Sequence, residues 1–278
     1  MSETNKILSD HVIESVFLTG DVTMVDEKIP LGKRCLPFTV ISCIFPHPEE
    51  RWNGCGCIFP EGEYFSKKPA CWIVPPYCRH EFIRYDRLHI STWGHFEFTI
   101  GNGIDLLHFY NVPRFVTGKK AENLQDLLLE SYCSKEKDPV SRCRGKGAQY
   151  RILSEILGSS TPLARGIEEV FDPFFTGICQ YIKENLQRRI SLDELASFAG
   201  LSRSSLEKKF RHAAGVSPGE FILRFRLREG AWMLRSSSMT HKEIAEAVGF
   251  ADVYTFSKAF QRKFNRPPGK FRKEKIYG

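Results

Sequence analysis

Nowhere in the 278 residues is there an apolar run close to the ~18 needed for a membrane-spanning helix. Met1–Lys6 has no basic region leading into an apolar core, so no secretory signal is expected. Both absences point to a cytoplasmic protein without a membrane partner. Metal-ligand spacing is missing too. Cys55-x-Cys57, Cys71 and Cys78-x-His80 do not form the paired Cys-x₂₋₄-Cys of common zinc sites. No metal and no other cofactor is expected. The nine cysteines are odd in number and scattered, which argues against a disulfide framework and for free thiols in a reducing compartment.

What is present is ordinary in amount and uneven in placement. Apolar residues make up 42% and charged residues 26%, as in a globular protein with room for two cores. The net charge is +7, yet residues 171–278 alone hold 20 Lys+Arg against 11 Asp+Glu, or +9, which leaves −2 for the remainder. A basic half of this kind suits a phosphate-backbone partner.

That basic half contains one pattern twice. Leu192–Phe210 and His241–Phe260 are each a helical pattern broken by one glycine and resumed at once. Leu195 matches Ile244, Ala196 matches Ala245, Gly200 matches Gly249 and Leu201 matches Phe250; after one inserted residue, Leu206 matches Phe256 and Phe210 matches Phe260. A tight turn between steeply crossing helices needs a residue that accepts positive φ, which glycine supplies. Leu201 and Phe250 would plug the space beneath each turn. Ser191 with Glu194 reads as a capping box, and Ser202, Thr240 and Asp252 as N-caps. Ser217-Pro218 starts a long helix to about Arg235 that carries Arg224, Arg226 and Arg228 and tethers the two units. Asn265 suits a left-handed helix end. These are two helix-turn-helix modules, whose second helices, from Ser202 to about Ala213 and from Val253 to about Phe264, would enter the major groove of double-stranded DNA.

The first 118 residues read as β-rich. Strands are expected at Val12–Leu18, Val22–Val25, Phe38–Phe45, Cys71–Val74, Glu81–Ile83, Leu88–Trp93, His95–Ile100 and Asp105–Phe109, separated by turns such as Pro60-Glu-Gly62 and Gly101-Asn-Gly103. Such spacing suggests a sandwich or a small barrel able to hold one ligand. Two amphipathic helices follow, one with Leu124, Leu127, Leu128 and Tyr132, the other with Tyr150, Leu153, Ile156 and Leu157, across a polar break at Ser134–Arg144. They could pack on the barrel or form a dimer contact. Gly158–Gly166 opens an interdomain linker, and a stripe of Phe174, Ile178, Tyr181 and Ile182 begins the next helix.

The run Gly249-Phe-x-Asp-x-x-x-Phe256-x-x-x-Phe260-x-x-x-Phe264-x-x-Pro-Pro268-x-x-Phe-Arg272 resembles the closing signature of the AraC/XylS family of transcription regulators, with Asn265 in place of the usual glycine. Leu195-Ala…Gly200-Leu-Ser-x-x-x-Leu206-x-x-x-Phe210 is similar to the family's first module. Ile73-Val-Pro-Pro76-x-x-x-His80 and Trp93-x-His95-Phe96 resemble the cupin-like domain of sugar-responsive members. The resemblance implies a two-domain α+β chain: a cupin-like or jelly-roll β-barrel at 1–118, trailing helices and possible dimerisation at 119–157, a linker at 158–172 and an all-α double helix-turn-helix domain at 173–278. It implies a ligand-controlled regulator rather than an enzyme, acting as a homodimer, with a carbohydrate effector and RNA polymerase as partners.

By resemblance, Ser204, Glu207, Lys208, Val253, Tyr254, Ser257 and Lys258 would read base edges. Glutamate can accept from cytosine, lysine can donate to guanine, and valine or tyrosine can pack on a thymine methyl. Ser202, Arg203, Arg211, Arg262 and Lys263 would contact the backbone. Arg34, Trp52, Trp72, His80, Phe82, Trp93 and His95 offer the aromatic faces and polar anchors of a carbohydrate-sized pocket. A rival reading makes Cys55, Cys57, Cys71 and Cys78 a thiol or metal sensor or an alkyl acceptor. A catalytic cupin would need a His-rich ligand set, and Gly54-Cys-Gly-Cys57 stands where its His-x-His pair belongs.

Overall fold

A computed structural model describes residues 13–26, 32–49, 51–84, 88–100, 104–163, 173–214 and 216–273. It divides into two compact units, one made of Glu14–Phe98 and Tyr110–Thr161, the other of Pro162–Glu274 together with Thr99–Phe109. The turn at Gly101–Gly103 and residues 164–172 of the expected linker lie outside the described residues.

The first unit is sheet-rich. Among the described residues the strands are β1 (Ile13–Asp26), β2 (Arg34–Cys35), β3 (Thr39–Pro46), β4 (Cys55–Phe59), β5 (Gly62–Ser66), β6 (Ala70–Val74), β7 (Arg79–Arg84), β8 (Leu88–Ile100), β9 (Ile104–Asp105), β10 (Tyr110–Asn111), β11 (Phe115–Thr117) and β12 (Thr161–Pro162), of which β9, the last two residues of β8 and Pro162 fall in the second unit. One sheet runs β1-β8-β3-β6-β11 with β9 on β8, a second β2-β7-β4-β5, and β10 pairs with β12. Among the described residues these are separate hydrogen-bonded sheets, not one closed barrel.

Several expected boundaries change. The two expected strands before Val25 are one, as are those on either side of Gly94. Asp105–Phe109 is a strand end followed by a 3₁₀ turn at Leu106–Phe109. Pro60-Glu61 is the two-residue loop of the β4–β5 hairpin, in which Phe59 faces Gly62. Thr161–Pro162, inside the expected linker, is paired.

Helix α1 (Lys119–Ser131) covers one face of the larger sheet. A Cβ on Gly94 would come within 2.8 Å of Leu128, and Tyr132 donates to the Trp93 carbonyl at 2.8 Å. Helix α2 starts at Pro139, well inside the expected polar break, because Asp138 accepts from Ser141 N–H at 2.8 Å and proline needs no donor in the first turn. Gly145 lies within it; a side chain there would overlap the backbone of Ser134. Ile152, Leu153 and Ile156 are buried, but Tyr150 is exposed and Leu157 half-buried, so the apolar stripe is narrower than the sequence suggested.

The second unit is helical: α3 (Pro173–Glu184), α4 (Leu192–Phe198), α5 (Arg203–Ala214), α6 (Pro218–Ser236), α7 (His241–Ala247), α8 (Val253–Phe264) and α9 (Pro268–Lys273). Its core is a chain of rings. Phe175 meets Phe210 at 4.9 Å, Phe256 meets Phe260 at 5.5 Å, and Phe260 meets Phe264 at 4.4 Å and Phe271 at 5.1 Å. Phe175, not Phe174, supplies the α3 core ring; Lys209 Nζ sits 4.6 Å over Phe174 instead.

Candidate functional site

The two turns agree bond for bond. Gly200 has φ 64, its N–H donates to Ser197 at 3.1 Å, and Leu201 N–H donates to Ala196 at 2.9 Å. Gly249 has φ 77, its N–H donates to Glu246 at 3.0 Å, and Phe250 N–H donates to Ala245 at 2.9 Å. This is the paired closure of a helix by a left-handed residue, which satisfies otherwise orphaned carbonyls. Leu201 and Phe250 are half-buried beneath it, with Phe250 5.3 Å from Phe256.

The caps aim the following helices. Ser191–Glu194 and Thr240–Glu243 both form reciprocal capping boxes, the second of which the sequence reading missed. Ser205 N–H donates to Ser202 Oγ at 3.2 Å, and Thr255 N–H to Asp252 Oδ1 at 2.7 Å. The bonds from Thr255 hold the Asp252 carboxyl below its ordinary range. Asn265 ends α8 with φ 56.

With Leu206, Phe210 and Ala214 buried on α5, and Phe256, Phe260 and Phe264 buried on α8, each helix turns one polar face outward. Ser202, Arg203, Ser204, Lys208 and Arg211 are exposed on the first, and Val253, Tyr254, Lys258 and Arg262 on the second; Glu207 and Ser257 are half-buried. Tyr254 is 72% exposed, unusual for an aromatic residue. Arg203 Nε lies 3.3 Å from Glu207 and its Nη1 4.0 Å from Asp193. Exposed pairs of this kind contribute roughly 0–1 kcal/mol, so Glu207 remains available to another donor. Lys263 differs from its neighbours: its side chain is 22% exposed and its Nζ lies 3.3 Å from Glu220. Glu220 also receives Arg224 at 2.8 Å.

The sheet-rich unit brings most of the expected pocket residues together. Trp72 and Trp93 both lie opposite Ser42 on β3, one on each side, and therefore share a face of the sheet. Trp72 meets Phe82 at 6.4 Å and Phe82 meets His80 at 5.5 Å; Arg34 lies opposite His80 in the β2–β7 ladder. Trp93 meets His95 at 5.0 Å, and its indole donates to Thr23 at 3.1 Å. Trp52 stands at the β4–β5 side and donates its indole N–H to Lys67 O at 2.8 Å. The sequence reading missed Phe115, whose ring is 4.7 Å from Trp72, because the three-residue strand β11 is too short to show a pattern.

His80 has a defined tautomer. Its Nδ1 is 3.0 Å from the Cys78 carbonyl, which can only accept, so Nδ1 carries the proton and Nε2 presents a lone pair. Burial, reinforced by the nearby Arg34 charge, pushes its pKa down to about 4. Among the described residues, Nε2 of His80 and Nε1 of Trp72 are buried and meet no hydrogen-bond partner. One is a neutral acceptor, the other a neutral donor.

A pH dependence follows from the histidine. Its folded pKa lies below the ordinary unfolded value of about 6.5, so between the two the unfolded chain binds more protons. The stability of the sheet-rich unit is expected to be full above about pH 6.5 and to fall by roughly 2–3 kcal/mol from this group by about pH 4.5. Urea midpoints across that range should show the loss in wild type, and His80→Gln should remove that part of the slope. An identical slope in the variant would refute the assignment.

Of the cysteines in the thiol reading, Cys55, Cys57 and Cys71 are buried and Cys78 is half-buried. Burial pushes Cys57 up to about 12, and burial also raises Cys78 and Cys43. Cys43 and Cys71 face each other across the β3–β6 ladder with sulfurs 2.7 Å apart, both fully buried. Thiols held protonated and covered are inert. Among the described residues no group of three His, Cys, Asp or Glu side chains is arranged to hold a metal ion, and no helix is long and apolar enough to cross a membrane.

Known proteins share these features. The helix-turn-helix domain family matches residues 195–274. The Msm operon regulatory protein of Streptococcus mutans is 39% identical over 131 residues, 46% of each chain. The probable transcription factor PqrA of Proteus vulgaris is 34% identical over 97 residues, which cover 34% of this chain and 80% of that protein. Apart from such short relatives, the chain spans about half the length of the curated proteins it matches. Over nearly its whole length it shares the fold of ToxT from Vibrio cholerae, with TM-score 0.57 and 14% identity, covering 94% of this chain and 96% of that one. That likeness extends the correspondence to a sheet-rich N-terminal domain followed by a helical one. The relatives are regulators and not enzymes. With two glycine-closed turns in tandem and four fifths of a short relative matched, the chain belongs to the AraC/XylS family of transcription regulators.

Proposed function

We propose that the protein binds double-stranded DNA in a sequence-specific manner through α5 and α8, and that a neutral, hydroxyl-bearing small molecule in the sheet-rich domain controls it. The observation that carries the first part is the repeated turn, with two capped helices presenting outward polar faces in a unit of net positive charge. Ser204, Glu207, Lys208, Val253, Tyr254, Ser257 and Lys258 read bases; Ser202, Arg203, Arg211 and Arg262 hold phosphates. Lys263 serves instead as an internal tie to Glu220. Selection from random duplexes should return two motifs separated by about one helical turn, roughly 10 base pairs. Recovery of no enriched motif would reject this function.

The effector class rests on the neutral pair. A hydroxyl both accepts and donates, so it can serve Trp72 Nε1 and His80 Nε2 together. A carboxylate would serve only the indole and would face a histidine that burial keeps uncharged. Aromatic walls with few polar anchors suit a sugar. The ligand acts by binding one arrangement of the protein better than another. Residues 1–118 form the effector domain, 119–157 contribute to a homodimer, 158–172 link, and 173–278 bind DNA beside RNA polymerase. The burial of Cys55, Cys57 and Cys71 weighs against a thiol-based sensor.

A further inference from the structure

Helix α6 belongs to both modules. Near its start, Phe221 packs 5.3 Å from Phe210 of the first module. Further along, Gly230 lets Phe256 of the second module approach so closely that a Cβ would lie 2.9 Å from its ring. Arg226 stands between these two contacts. Its Nη2 donates to the Arg188 carbonyl at 2.7 Å. A Cβ on Gly249 would overlap the Leu186 carbonyl oxygen and lie 2.8 Å from Arg226 Nη2. The turn of the second module therefore rests on residues 186–188, with the guanidinium wedged against both.

That short segment leads directly into the first module. The Arg188 side chain pairs with Glu194 and donates to Tyr181 Oη at 2.9 Å. Glu194 is the carboxylate of the capping box that starts α4, and the bond from Arg188 pulls its pKa down to about 2. A continuous set of contacts thus runs from the Gly249 turn through Arg226 and Arg188 to the start of α4. Among the described residues the Arg226 guanidinium has no carboxylate partner, and its Nε is buried without an acceptor. Burial works against the charge of this guanidinium, and its bond to the Arg188 carbonyl offsets that cost only in part. What the planar fork supplies is a fixed distance between one module's turn and the other module's entry.

We infer that Arg226 is a positioning residue that sets the distance and phase between α5 and α8, and so selects the spacing of the two DNA half-sites. This rests on the proposed DNA binding, and the test separates the two. Duplexes carrying both half-sites would be stepped one base pair at a time around a spacing of roughly 10 base pairs. Wild-type affinity should fall roughly tenfold when the spacing is wrong by one or two base pairs, the order of a mismatch cost. Arg226→Met, which keeps the aliphatic stem, should bind each isolated half-site as wild type does but lose most of the spacing preference. Arg226→Lys, which retains one donor for the Arg188 carbonyl, should fall between them. Should the Met variant fail to fold, Lys decides: a relaxed preference supports the inference and an unchanged one overturns it. Variants with wild-type preference overturn the inference while leaving DNA binding intact, whereas a wild type that binds no duplex overturns both.

Discussion

Raising salt from about 50 to about 200 mM should weaken binding to a selected duplex by roughly 10³-fold. The figure comes from counting the cations that the fold leaves outward. Arg203, Lys208, Arg211, Lys258 and Arg262 are exposed on the two outward faces, while Lys209 lies over Phe174. Lys263 and Arg224 are engaged with Glu220, and Arg226 with the Arg188 carbonyl. About five neutralised phosphates give a slope of log K against log[salt] near −4.5, toward the shallow end for a protein of this class. A count of every arginine and lysine in residues 171–278 would predict a slope far steeper. Fluorescence anisotropy over a salt series distinguishes the alternatives. A slope near zero removes the phosphate interface, and one much steeper than about −4.5 brings the inward cations into it.

Gly249→Ala should destabilise the helical unit by several kcal/mol, about 3–5, and Gly200→Ala by only about 1–2. Both glycines adopt positive φ, at 77 and 64, so both substitutions meet the backbone penalty. Their surroundings differ. Among the described residues nothing crowds a Cβ on Gly200 within 4 Å, whereas on Gly249 it would run into the Leu186 carbonyl and the Arg226 guanidinium. Asparagine separates the two causes, since it tolerates the left-handed region and already occupies it at Asn265 with φ 56. Gly200→Asn should be close to neutral, while Gly249→Asn should remain severe. Thermal melts of the four variants read this directly, at about 4–8 °C per kcal/mol for a unit of this size. Equal losses at the two positions would mean that the second turn is not packed as described.

How much was legible depended on how local the cause was. The turns, their caps and the helices α4, α5, α7 and α8 were readable to within about a residue, because a positive-φ glycine, a side-chain cap and a four-residue ring spacing all act within one or two helical turns. Pro139 and Gly145 depend on neighbours for their meaning. Alone they look like breakers, but Asp138 makes the proline a helix start, and Ser134, eleven positions earlier, makes the glycine a point of close approach. In the sheet-rich unit the long strands showed themselves, while β2, β4, β5 and β11 did not, since short strands are defined by partners elsewhere in the chain.

The sequence by itself determined the tandem modules, the charge asymmetry that accompanies them and the aromatic residues available for a pocket. Tertiary structure alone decided what each charge is for. Lys263 and Arg226 look like further members of a basic surface, and only packing turns one toward Glu220 and the other against the Gly249 turn. It also decided that Trp72 and His80 keep a neutral donor and a neutral acceptor unspent, because whether a polar atom finds a partner depends on neighbours brought from other strands.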